Sequence, residues 1–210
     1  MIRTRRWKYV QLTLISGLFT VLLFKSQAQT NTSQALDTLR LFTNLDSALK
    51  YPDEVVRLKL ERKRLKKVPE SIMHFKQLRW LSLSNNKLKE LPGWFKQLAQ
   101  LEVLELSKNK FDEFPEVICE LTQLKGLVIS RNDLYQLPTC IASLSSLEAL
   151  DIWETNVASV PIEMGEMAAL KLVDMRSIQM NENEQQNIVA ILPKGVEVNF
   201  SEPCDCNFGE

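Results

Sequence analysis

The chain has one histidine, His74, in 210 residues. It sits just before the apolar segment that begins at Leu78 and reads as a surface or packing residue. Neither a Ser-His-Asp triad nor a Cys-His pair therefore has a base to build on. The six glycines form no G-x-G-x-x-G and no P-loop, and H-E-x-x-H is absent, so dinucleotide, P-loop and zinc-hydrolase chemistry lack their residues. A cation excess is missing too, with 26 Lys and Arg against 26 Asp and Glu. No apolar run reaches the roughly 20 residues of a membrane-spanning helix. Of the four cysteines two lie in the tail tripeptide Cys204-Asp205-Cys206, and a metal site would need more ligands than this tail offers. No cofactor and no metal are implied.

The first residues differ from the rest. Arg3, Arg5, Arg6 and Lys8 precede a mostly apolar run from Val10 to Phe24, and Ser26-Gln27-Ala28 follows with small residues at its ends. That layout predicts a secretory signal peptide, residues 1–28, cut after Ala28. The expected location is exported: periplasmic, cell-surface or secreted, with membrane attachment only if the segment stays as an anchor. Its removal takes five cations and no anions, leaving 21 positive against 26 negative side chains. An acidic exported protein is not expected to bind nucleic acid or anionic lipid, which call for a basic face.

What the chain does have is a period. Leu78, Leu101, Leu124, Leu147 and Leu170 are 23 residues apart, and Val55 precedes Leu78 by the same step. Five of the eight prolines, Pro69, Pro92, Pro115, Pro138 and Pro161, share that step. The unit reads L-x-x-L-x-L-x-x-N-x-L-x-x-L-P-x-x-[IF]-x-x-L-x-x. Its L-x-L core predicts a short strand with one buried face. No hairpin partner follows, so its partner is the next repeat's strand, reached by a return crossing that begins at Leu-Pro. One coil cannot bury its own leucines, but a stack can. Asn86, Asn109 and Asn132 fall where each strand ends. A buried amide survives only when hydrogen-bonded, so they read as a structural ladder.

This pattern resembles the leucine-rich repeat family in its 23-residue Leu-Pro class, over residues 55–180. The resemblance implies an α/β solenoid: a short horseshoe with a concave parallel β-sheet and an irregular or helical convex side. The expected organisation is a signal peptide (1–28), a loose segment and N-terminal capping helix (29–54), six repeats (55–180), a C-terminal cap (181–200) and a tail (201–210). Leu39, Leu41, Phe42, Leu45, Ala48 and Leu49 suggest the first cap as one amphipathic helix. Ile188, Val189, Ile191 and Leu192 suggest a closing helix, and Val196, Val198 and Phe200 a last strand. Cys119 and Cys140 fall on the convex side of adjacent coils. Their phases differ by two residues, which favours two separate small core residues over a bridge.

Positions between the leucines are expected on the concave face. Trp80 and Trp153 lie there with Val103, Val128 and Leu172 as a broken apolar band, and aromatic side chains so placed are a usual sign of contact. Glu105, Asp151, Asp174 and Arg176 add polar groups, with Asp151 and Asp174 expected as cross-strand neighbours. Arg57, Lys59, Arg62, Lys63 and Arg64 crowd the first coil. The family resemblance implies a non-catalytic module for a protein or peptide ligand. A structural surface spacer and a carboxylate hydrolase using Glu105, Asp151 or Asp174 are the alternatives.

Overall fold

The computed structural model describes residues 36–204. The chain divides into two compact units, 1–38 and 39–210. Of the first, only residues 36–38 are described, with Leu36 and Asp37 helical. The expected export segment and the tail from residue 205 lie outside the described residues.

The second unit is built on one eight-stranded parallel sheet whose strand order follows the chain. Its strands are β1 (Leu41–Phe42), β2 (Arg57–Lys59), β3 (Trp80–Ser82), β4 (Val103–Glu105), β5 (Gly126–Val128), β6 (Ala149–Asp151), β7 (Leu172–Asp174) and β8 (Glu197–Asn199). From β2 to β7 every pairing is in register at a 23-residue step. Leu58, Leu81, Leu104, Leu127, Leu150 and Val173 thus form one internal column, none more than 1% exposed.

The strands stay short because the chain must turn at once. Arg62, Asn85, Lys108, Arg131, Glu154 and Ser177, at the same step in successive coils, have φ between 54° and 57°, and Arg64 adds a second such residue to the first coil at 58°. That left-handed conformation costs a non-glycine residue roughly 1–2 kcal/mol. Cross-coil bonds hold it in place: the Asn85 and Lys108 N–H groups donate to the Ser107 and Ser130 carbonyls at 2.8 and 3.0 Å. Each Leu-Pro or its equivalent then opens a five-residue 3-10 turn on the far side, such as Gly93–Gln97 after Pro92 and Thr139–Ser143 after Pro138. These turns bury a second column: Ile72, Phe95, Ile118, Ile141 and Met164.

Both ends close the stack. The stretch expected as one helix from Leu39 is divided: β1 is followed by a short helix α1 (Leu45–Leu49). The sheet edge explains the difference, since pairing Leu41 with Arg57 and Phe42 with Leu58 covers backbone that β2 would leave open. Asn44 then caps α1, its Oδ1 accepting from the Asp46 and Ser47 N–H groups. At the other end helix α2 (Glu182–Ile191) begins with a reciprocal cap between Asn181 and Glu184. It lies so close to the last 3-10 turn that a Cβ on Gly165 would come within 2.7 Å of the Ile191 carbonyl oxygen.

The expectation of two separate cysteines is corrected. Cys119 and Cys140 form a disulfide between the third and fourth coils, with Cα atoms 5.8 Å apart. That separation is ordinary for the bond. A two-residue phase difference spans little distance inside tight turns that stack directly on one another. Cys204 is disulfide-bonded as well.

Two stability predictions follow from these contacts. Replacing Cys119 and Cys140 together by Ala removes a cross-link closing 21 residues, and is expected to cost about 3 kcal/mol in urea unfolding. Gly165→Ala is expected to cost about 1–3 kcal/mol by displacing α2; an unchanged denaturation midpoint would refute the close approach.

Candidate functional site

The open face of the sheet carries three rows of side chains, and they differ in depth. The first row holds Arg57, Trp80, Val103, Gly126 and Leu172, all half-buried, with Ala149 buried among them. The middle row lies deeper. Ser82, Glu105, Val128 and Asp174 are buried there, while Asp151 is half-buried. In the third row Trp153 is half-buried and Arg176 exposed. Trp80, Val103, Glu105, Val128, Asp151, Trp153, Asp174 and Arg176 therefore share one face but not one depth. Val128 is 5% exposed and contributes floor rather than surface.

Each tryptophan is held by an arginine. The Arg57 guanidinium lies 5.3 Å from the Trp80 ring centroid, and that of Arg131 lies 5.0 Å from Trp153. Arg131 is fixed in turn by Glu154, Nε to Oε2 at 2.9 Å. Stacking of this kind orients an indole and leaves its other face to neighbours or a ligand. The first pairing was legible, because Arg57 and Trp80 occupy one row on adjacent strands. The second was not, because Arg131 comes from the left-handed turn after β5.

The acidic groups have two fates. Asp151 and Asp174 are cross-strand partners in the β6–β7 pairing. Asp174 is clamped by Arg176, Nε to Oδ1 at 2.9 Å and Nη2 to Oδ2 at 2.6 Å, a geometry in which both ions are satisfied. Asp151 has no such clamp. Its carboxyl is pushed up to about 7, first by burial and then by the Asp174 charge, against the Trp153 N–H, which donates to Oδ1 at 3.1 Å. Glu105 is also pushed up to about 7, chiefly by burial, with a hydrogen bond shared with the Ser82 hydroxyl opposing. Ser82 in turn donates to Glu61 at 2.8 Å, a link that composition does not reveal.

The asparagines belong to the scaffold of this face. Asn86 Oδ1 accepts from the Lys63 and Leu65 N–H groups of the preceding coil, both at 3.0 Å, while Nδ2 donates to the Leu60 and Leu83 carbonyls at 2.8 Å. Asn109 and Asn132 likewise bridge their own coil and the one before. In the fifth coil Thr155 keeps only the local half, donating to the Ile152 carbonyl at 2.7 Å. Among the described residues, no group of three or more His, Cys, Asp or Glu is placed to hold a metal ion.

Comparisons with known proteins place this geometry. The family described as leucine-rich repeat region matches residues 54–198. A leucine-rich repeat protein of Leptospira interrogans superposes with a TM-score of 0.52 at 23% identity, over 78% of this chain and 59% of that one. Internalin C2 of Listeria monocytogenes gives 0.58 at 22% identity, over 76% and 66%. A chain of the Drosophila Toll–Spätzle complex gives 0.56 at 22%, over 61% and 18%. The chain thus spans about three fifths to two thirds of the first two, and at these identities the likeness is one of fold. No curated protein matches the chain.

The two raised carboxyls make stability depend on pH. The native state keeps protons that the unfolded chain releases above about pH 4, so stability falls as pH rises from about 4 to about 7. Each pH unit crossed costs about 1.4 kcal/mol per group. Glu105→Gln is expected to raise the melting temperature at pH 8 and leave it unchanged near pH 4; equal effects at both would refute the buried-acid account.

Proposed function

The chain belongs to the leucine-rich repeat family, and on that premise we propose that it is a non-catalytic recognition module of the cell envelope or exterior, docking a protein or peptide on the open face of its sheet. The observation that carries the reading is the first row of that face. Trp80 and Val103 stand on one side and Leu172 on the other, with Gly126 and Ala149 between them. A Cβ on Gly126 would meet nothing closer than the Val103 methyl carbons at 3.8 Å, so the row dips there and leaves room for a partner's side chain. Trp153, braced by Arg131, stands on the same face two rows from the dip as a second aromatic anchor. Glu105, Asp151, Asp174 and Arg176 supply the polar contacts that orient a ligand.

Export is supported by the signal-like residues 1–28 and by the Cys119–Cys140 disulfide, which suits an oxidising compartment. Protein binding is supported by the family and by the similar chain of the Toll–Spätzle complex. A carboxylate hydrolase draws support from the raised Glu105 and Asp151 carboxyls. Yet they lie on an open sheet with Val128 between them, and no insertion in the 23-residue register builds walls to exclude water.

The test is a pull-down from the extracellular or periplasmic fraction of the source cells, followed by titration with the captured protein. Trp80→Ala with Trp153→Ala is expected to abolish capture, at about 2 kcal/mol or more per anchor, with thermal unfolding little changed. Gly126→Trp fills the dip and is expected to block capture in a folded protein. Undiminished capture by both variants would overturn the reading, as would glycan or peptide turnover lost in Asp151→Asn.

A further inference from the structure

The two flanks of the sheet are charged in different ways. Where the chain runs into the strands, Arg79, Glu102, Lys125, Glu148 and Lys171 follow one another at 23-residue steps and alternate in sign. They pair across coils: Glu102 with Arg79 and with Lys125, and Glu148 with Lys171 at 2.7 Å. Where the chain leaves the strands, the signs do not alternate. Arg64, Lys87 and Lys110 form one column at the same step, and Lys66 and Lys89 a second. Arg62, Lys63, Lys67 and Lys108 surround them. All nine are exposed, and none forms an ion pair with a described residue. The turns cannot spread to relieve the repulsion, because the Lys87 and Lys110 N–H groups donate to the Leu65 and Leu88 carbonyls of the preceding coils, both at 2.8 Å. Glu90, Asp112 and Glu113 border the patch. At its far end, where the basic column gives way to Asp133, a depression of about 540 Å³ is lined by Lys108 and Arg131 but also by Asp133 and Glu154.

We propose that this flank, on coils one to three, is a docking surface for a linear acidic glycan bearing sulfate or carboxylate groups. None of the exposed large apolar side chains lies in these turns, so a folded protein partner finds no anchor there and a bilayer no side chain to insert. Seven of the nine cations are lysines, point charges suited to single dispersed anions rather than to bidentate recognition. Spacing narrows the choice further. Neighbours in a column are about 4.8 Å apart, whereas an extended peptide repeats its same-side groups at nearly 7 Å and duplex DNA carries a charge every ~1.7 Å. Dispersed sulfate or carboxylate groups on a glycan can be met one at a time by these lysines. The proposal does not depend on protein recognition by the open face.

The experiment titrates the exported, disulfide-bonded protein with a heparin oligosaccharide of defined length at several salt concentrations, following heat by calorimetry. Saturable binding is expected, with affinity falling linearly in log–log against salt. Arg64→Ser, Lys87→Ser and Lys110→Ser together are expected to weaken it about tenfold or more. Lys50→Ser, Lys76→Ser and Lys96→Ser, exposed cations outside these turns with the same net charge change, are expected to leave it unaltered. Melting curves check that both variants are folded. Absent heparin binding at low salt, or equal loss in the two triple variants, overturns the proposal. So does equal or tighter binding of phosphatidylglycerol vesicles, duplex DNA or polyglutamate through the same three cations, which would give the flank to that partner class instead.

Discussion

Contact between one coil and the next is the constraint from which the rest of this structure follows. A three-residue strand has too few hydrogen bonds and too little apolar area to persist alone. Stacked in register, each strand finds its bonds in its two neighbours, and each leucine is covered by the leucines above and below. The other regularities serve that stacking. The asparagines tie each bend to the preceding coil, the left-handed residues turn the chain within the space of one coil, and the 3-10 turns return it. The two caps matter for the same reason, since an uncovered end coil would expose both a core column and a row of unpaired backbone groups.

Rigid stacking also shapes chemistry on the surface. Side chains 23 residues apart are forced into neighbourhood whether or not they attract one another. On the flank leading into the strands, that enforced proximity is resolved by alternating charge. On the opposite flank it is left unresolved among lysines and arginines. On the open face it sinks Glu105 and Asp151 deep enough to lose water and sets Asp151 beside Asp174, which Arg176 clamps. A fold whose backbone is nearly invariant from coil to coil thus displays several distinct environments, distinguished only by what each coil places at a given step.

Much of this was readable from residue order. The period predicts the column from Leu58 to Val173, the positions that share the open face, and the Asp151–Asp174 adjacency, because all three depend only on counting in steps of 23. Counting failed where contacts depend on how the coil bends between fixed points. The residues before Leu45 joined the sheet as β1 because an open edge competes for any extended segment beside it. Cys119 and Cys140 met despite their different phases. Arg131 reached Trp153 from outside the rows. The basic residues of the first coil look like one cluster in the sequence, yet Arg57 and Lys59 stand on the open face while Arg62, Lys63 and Arg64 stand on the flank.

Periodicity, then, was sufficient to settle which residues become neighbours along the stack, since hydrophobic burial repeats with the chain and needs no further information. Depth, pairing and ionisation had to wait for three dimensions. They depend on distances of a few ångströms between side chains of different coils, and on how much water reaches them. The 23-residue step does not encode those quantities.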